Sequence, residues 1–113
     1  METQPALALW YQVMVQTVRG EGPDLSARQM AVLLTVYLTP APHTVRGLSA
    51  ALNVSKPAIS RALDRLGALE FLRRKTDPAD RRNILVQRTV KGSVYLSEFG
   101  ELIVRASAYR PRT

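Results

Sequence analysis

LSAALNVSKPAISRALDRL, residues Leu48 to Leu66, reads as two helices joined by a very short turn. From Thr44 a first helix places Leu48, Ala51 and Leu52 inward and stops at Asn53, a residue that tolerates the left-handed conformation of a helix end. Only two residues later Ser55 starts another helix. Pro57 falls in its first turn, where a missing N–H costs nothing. Ile59, Leu63 and Leu66 recur at helical spacing, which leaves Ser60, Arg61, Asp64 and Arg65 on the opposite face. Two helices joined through so short a turn form a helix-turn-helix candidate.

Moving outward, Phe71 to Thr76 and Asn83 to Thr89 are strand-like runs around Asp77-Pro78-Ala79-Asp80, which carries turn chemistry. They predict a wing with a basic loop. Thr89 then caps a last helix on which Tyr95, Phe99, Leu102, Ile103 and Ala106 share a face. On the N-terminal side, Ser26 and Gln29 make a capping box for a helix that runs to Leu38, where Pro40 and Pro42 end it. His43 is expected in the loop that follows. Before these, Thr3, Gln4 and Pro5 open a helix that reaches Arg19 and is stopped by Gly20 and Gly22. Its apolar residues cover more than one face, so it needs burial on two sides. The tail from Arg110 is expected to fray. The fold class is therefore mainly α with a small two- or three-stranded β wing, a winged helix-turn-helix. The 113 residues make a single domain, in which the helices at 1–20 and 90–109 form one lobe and residues 44–89 another.

A chain of this length buries roughly two-thirds of its unfolded surface. Its 46% apolar and 22% charged residues exclude wholesale disorder. The sign of the charge is more informative. Sixteen Lys and Arg against nine Asp and Glu give +7. Between Val45 and Gly92 stand eleven basic residues and four acidic ones, while the remainder of the chain carries five of each sign. The whole excess falls on the helix-turn-helix and wing, which points to nucleic acid rather than to a diffuse surface effect. No helix combines a basic face with a broad apolar one, so a membrane surface fits poorly. With no cysteine and one histidine, neither a thiolate nucleophile nor a Cys- or His-based metal site is expected, and no cofactor is implied. The apolar run Leu7 to Val18 is broken by Gln12 and Gln16, follows an acidic Glu2 and is too short to span a bilayer, so a cytoplasmic protein working at the nucleoid is expected. No nucleophile triad, paired-carboxylate set or Gly-rich phosphate loop stands out, and no enzyme is expected.

The stretch from Leu48 to Leu66, together with Leu72-Arg-Arg-Lys-Thr-Asp-Pro-Ala-Asp-Arg-Arg-Asn-Ile-Leu-Val86 and Thr89-Val-Lys-Gly92, resembles the winged helix-turn-helix of the MarR family of bacterial transcriptional regulators. The resemblance runs from about Leu25 to Gly92, and the Asp-Pro-x-Asp-Arg-Arg wing ending in Thr-x-x-Gly is its most specific part. It implies a homodimer formed by the terminal helices, a pseudo-palindromic operator, and release of DNA on binding a small-molecule effector. Three features depart from the pattern. Glu70 stands where the family has Gly after the recognition helix, so a residue with a Cβ is expected in a left-handed conformation, or the helix ends differently. Arg88 stands where a core-facing Leu is usual. The chain is also shorter than a typical member.

On this reading the helix from Lys56 to Leu69 enters the major groove with its N-terminal residues nearest the bases. The candidates are Ser55, Lys56, Pro57, Ser60, Arg61 and Arg65. Arg61 is the choice for a bidentate guanine contact, with Lys56 and Arg65 on phosphates. Ser55 and Thr44 serve equally as helix caps, Pro57 as a helix-start residue, and Arg65 as a partner of Asp64 or a solvated side chain. Thr44 and Arg46 open the preceding helix and can donate to phosphates. On the wing, Arg81 and Arg82 are candidates for the minor groove, Arg82 alternatively being held by Asp80. Arg73, Arg74 and Lys75 alternate across a strand, so only one face of them reaches a phosphate together, and Arg74 is the candidate. A dimer is expected from the apolar surface of Leu7, Trp10, Tyr11 and Met14 with Tyr95, Phe99, Leu102 and Ile103. The regulator, as a repressor binding an inverted repeat of double-stranded DNA, competes with a winged-helix protein-interaction module and with a phage or plasmid factor for replication or partition.

Overall fold

The computed structural model describes residues 1–109, and the expected fraying from Arg110 lies outside the described residues. The elements are α1 (Thr3–Arg19), α2 (Ala27–Leu38), β1 (His43–Thr44), α3 (Val45–Leu52), α4 (Lys56–Ala68), β2 (Leu72–Thr76), β3 (Ile84–Arg88) and α5 (Val90–Ser107). They fall into two compact units, residues 25–95 and residues 1–24 with the chain from Leu96.

In the larger unit the core is built at helical spacing. Val32, Leu33 and Val36 of α2, Leu48 of α3 and Ile59, Leu63 and Leu66 of α4 are all buried, joined by Phe71, Leu72 and Val86. Each of the large side chains contributes about 1.5–3 kcal/mol by leaving water. The helix ends are set locally. Ser26 and Gln29 close the capping box in both directions, at 3.1 and 3.0 Å. Asn53 ends α3 in the left-handed region at φ 53°. The Val54 N–H returns to the Ser49 carbonyl at 3.2 Å and the Ser49 hydroxyl donates to the Val54 carbonyl, so the turn between α3 and α4 is pinned from both sides.

The end of α4 shows how the chain manages without glycine. The Phe71 N–H bonds the Leu66 carbonyl and the Glu70 N–H the Gly67 carbonyl, both at 2.9 Å, with Glu70 at φ 62°. This is a Schellman closure with a carboxylate-bearing residue in the left-handed position. The Glu70 side chain reaches Lys91 at 3.1 Å.

The sheet has the order β1-β3-β2 and is antiparallel throughout, with His43 opposite Val86 and Arg74 also opposite Val86 on the other side. His43, expected in a loop, opens the edge strand β1. Its Nε2 lies 3.1 Å from the Thr39 carbonyl, which holds the segment after α2 beside the sheet. Arg88 likewise departs from a core-facing role. Its Nε donates to the Val36 carbonyl at 2.9 Å and its Nη2 to the Thr39 carbonyl at 3.1 Å, while the guanidinium lies 5.7 Å from the Tyr37 ring centre. A cation here satisfies carbonyls that the end of α2 leaves without helical partners and opposes the negative end of the helix dipole.

One close approach ties these elements together. The Tyr37 hydroxyl accepts the Thr89 N–H at 2.9 Å and stands within donating distance of the carbonyls of Phe71 at 2.8 Å and Thr89 at 3.0 Å. Thr89 caps α5 by accepting the Gly92 N–H at 2.9 Å and donates its own hydroxyl to the Glu70 carbonyl at 2.7 Å. A Cβ at Gly92 would overlap the Tyr37 hydroxyl and the Phe71 carbonyl. The Thr-x-x-Gly pattern is therefore a cap plus a clearance.

In the smaller unit, Val13 and Ala106 are buried. Leu7, Trp10, Tyr11, Met14 and Val18 recur at helical spacing on one stripe of α1 and are all exposed, Trp10 and Tyr11 by 57% each. Tyr95 lies in the larger unit, where its ring stacks on Phe71 with centroids 4.3 Å apart.

Gly92→Ala is expected to lower the unfolding free energy by about 1–3 kcal/mol, the usual cost of overpacking. It should appear as a lower urea midpoint at unchanged slope. A midpoint equal to the wild type's would show that the backbone around Phe71 can yield.

Candidate nucleic-acid interface

The outward side of α4 follows from its buried side. With Ile59, Ala62, Leu63 and Leu66 inward, a 100° step per residue brings Pro57, Arg61, Asp64 and Ala68 to the opposite face, and all four are exposed. Lys56 and Ser60 flank this row on one side and Arg65 on the other. The Ser55 hydroxyl accepts the Ala58 N–H at 3.2 Å and Pro57 sits in the first turn, so both perform their helix-start roles. Thr44 caps α3 in the same way, accepting the Gly47 N–H at 2.9 Å, and places exposed Arg46 in the first turn of that helix. A cleft of about 330 Å³ includes Val45 of α3, Ser60 of α4 and Arg74 and Thr76 of β2 in its lining.

The wing divides its cations by strand alternation. Arg74 shares a face of β2 with buried Leu72, and its Nη2 meets Asp64 Oδ1 of α4 at 2.6 Å. Asp64 is thus paired with Arg74, not with Arg65, because adjacent helical residues diverge by about 100° whereas Arg74 approaches from a neighbouring element. Arg73 and Lys75 alternate to the other face. In the turn, Asp77 Oδ1 accepts the Ala79 N–H at 2.9 Å. Asp80 Oδ1 accepts both the Arg82 N–H at 3.1 Å and its Nε at 3.2 Å, with Nη2 3.4 Å from Oδ2. Arg82 is held by Asp80 yet remains largely exposed, and Arg81 beside it makes no ion pair among the described residues.

The four acids of this region are all engaged internally. Asp64, Glu70 and Asp80 each pair with one cation, and Asp77 closes the turn. Arg88 is spent on the end of α2. Seven basic side chains, Arg46, Lys56, Arg61, Arg65, Arg73, Lys75 and Arg81, have no hydrogen bond or ion pair among the described residues. They project from α3, α4 and the wing, an arrangement suited to holding a polyanion by several of its charges at once. Among the described residues no group of three His, Asp or Glu is placed to hold a metal ion, and no helix is long and apolar enough to cross a membrane.

Sequence reasoning did not assign Asp64 a role of its own. Its signal was its position, a lone acid on the outward face of a basic helix, but the partner ten residues away had no local mark.

Comparison with known proteins places these features. The MarR family model matches residues 24–83. No curated protein matches the chain at a significant level. Among solved structures, a mutant MarR from E. coli complexed with operator DNA is 25% identical with a TM-score of 0.69, over 92% of this chain and 69% of that one. The MepR–DNA complex of S. aureus is 19% identical with a TM-score of 0.72, over 94% and 82%. A transcriptional regulator from Thermotoga maritima is 26% identical with a TM-score of 0.66, over 92% and 68%.

The Arg82 side chain beside Asp80, followed by the Arg82 backbone N–H, holds the Asp80 carboxyl below its ordinary value of 3.8. A lowered folded value means that this contact supports the wing above the ordinary value and is lost as pH falls through the lowered one. Arg82→Gln is expected to move the Asp80 titration upward, followed by NMR at the carboxyl carbon. An unmoved titration would mean that the fork does not form in solution.

Proposed function

Because the chain belongs to the MarR family of winged-helix proteins, we propose that it is a transcriptional regulator, a repressor, that binds an inverted repeat in double-stranded DNA as a homodimer. The observation that carries this reading is the set of seven unpaired cations on α3, α4 and the wing, left over after every acid there has found an internal partner. The MarR and MepR structures in complex with DNA support it by kinship. A protein-docking wing has no need of so many uncompensated charges.

The roles follow from position. Arg61, on the outward row of α4, reads a guanine by a bidentate contact, and Ser60 supports it from the flank. Lys56, Arg65 and Arg46 hold phosphates, while Ser55, Thr44 and Pro57 present helix N-termini toward them. Arg81 and Arg82 meet the minor groove, Arg82 oriented by Asp80. The exposed stripe Leu7, Trp10, Tyr11 and Met14, with Phe99, Leu102 and Ile103 of α5, pairs two chains and sets the two α4 helices about one DNA turn apart or a multiple of it. The protein acts in the cytoplasm at the nucleoid and, by the same kinship, answers to a small-molecule effector.

Selection from a random duplex library is expected to return an inverted repeat, bound with an affinity that falls as salt rises. Affinity indifferent to salt would assign the wing to a protein partner. Arg61→Ala should lose about 1–3 kcal/mol of discrimination at one base position of each half-site, whereas uniform weakening over all sequences would make it a phosphate contact. Light scattering after size exclusion should give twice the mass of one chain, and Trp10→Glu should return it to one. A wild-type monomer would sink the dimer.

A further inference from the structure

Asp64 is the sole acid of α4 and stands on its outward face, one turn beyond Arg61. A carboxylate there repels phosphate, and its presence on a surface that otherwise attracts polyanions calls for a physical account. Its partner supplies one. Arg74 lies opposite Val86 in the sheet, two residues beyond Leu72, and both Val86 and Leu72 are buried. This face of β2 therefore looks to the core, and the Arg74 side chain leaves it toward α4 to meet Asp64 at 2.6 Å. The side chains are 40% and 66% exposed, and an ion pair so open to water adds little to folding stability.

Its effect lies elsewhere. Unpaired, Arg74 would attract any phosphate whatever the sequence, and unpaired, Asp64 would repel it. Paired, the two cancel, and the wing is tied to α4 across the turn at Glu70. Phosphate attraction supplies nearly all of sequence-independent binding, so removing one cation from it weakens random DNA more than a site that is also read through base edges. We propose that the Asp64–Arg74 pair is a specificity-determining strut, which fixes the wing against α4 and withholds Arg74 from sequence-independent phosphate contact. The inference rests on the DNA-binding reading above.

The test compares wild type, Asp64→Asn, Arg74→Gln and the double variant on two probes, a random-sequence duplex and the inverted repeat returned by selection. Asp64→Asn is expected to release Arg74, so the slope of log affinity against log salt on the random duplex steepens by about one. The ratio of site to random affinity then falls several-fold. In the Arg74→Gln background, where the same change only removes the repulsion of an unpaired Asp64, the slope should change clearly less. Equal slope changes in both backgrounds, or an unchanged affinity ratio in Asp64→Asn, overturn the strut while the DNA-binding reading stands. A wild type that binds neither duplex overturns that reading itself, and the strut with it. Thermal melts of the four proteins should coincide, and a large drop in the single variants would make the pair a staple of the fold instead.

Discussion

The Tyr37 hydroxyl is the point on which the winged unit depends. One oxygen links the end of α2, the start of β2 through the Phe71 carbonyl, and the residue that caps α5. A buried or half-buried backbone group without a partner is expensive, so satisfying Phe71 and Thr89 through a single side chain fixes where three elements can meet. The arrangement is possible only because residue 92 is Gly, whose missing side chain leaves room for the hydroxyl and the carbonyl. Arg88 extends the same junction from the other side, bonding the Val36 and Thr39 carbonyls, and Thr39 also receives His43. Two polar residues thus replace an apolar contact with directed bonds.

Electrostatics in the winged unit is organised by subtraction. The acids there do not dilute a basic surface at random. Each occupies a particular cation or turn N–H: Asp64 takes Arg74, Asp80 takes Arg82, Glu70 takes Lys91, and Asp77 closes the turn. The cations left over lie on α3, on α4, on one face of β2 and in the wing turn. Exposed pairs of this kind add little to stability, so their main consequence is geometric, deciding which charges remain available and where they are held. The smaller unit holds five acidic and four basic residues and an apolar stripe on α1, so the two units differ in the kind of surface they offer.

Much of this was legible in the sequence because it is local. The capping box at Ser26 and Gln29, the left-handed Asn53, the Ser55 cap and the wing turn each involve residues within four positions of one another, where the chemistry of the side chain and its offset suffice. The left-handed Glu70 is one of the two alternatives that the family's Gly at this position raised, and no local signal of its own marked it. The inward positions of α4 followed from helical spacing. What was misread is non-local: His43 as a loop residue, although it pairs with Val86 in the sheet; and of the alternatives open for Arg65, pairing with Asp64 is not the one seen, since Asp64 meets Arg74 and Arg65 is exposed. Arg88 carried no local mark of its task, since the carbonyls it bonds lie about fifty residues earlier in the chain. Tyr95 shared a helical face with Phe99 and Leu102, yet stacks on Phe71.

By itself the sequence determined the order and type of the elements apart from β1, the inward face of α4, and the concentration of positive charge between Val45 and Gly92, because periodicity, caps and composition act over short distances along the chain. Only the tertiary structure decided which of eleven similar cations are bound internally and which are left free. Side chains of identical charge differ solely in what the fold brings near them, and an arginine meets its carboxylate or its carbonyl through space, not through spacing.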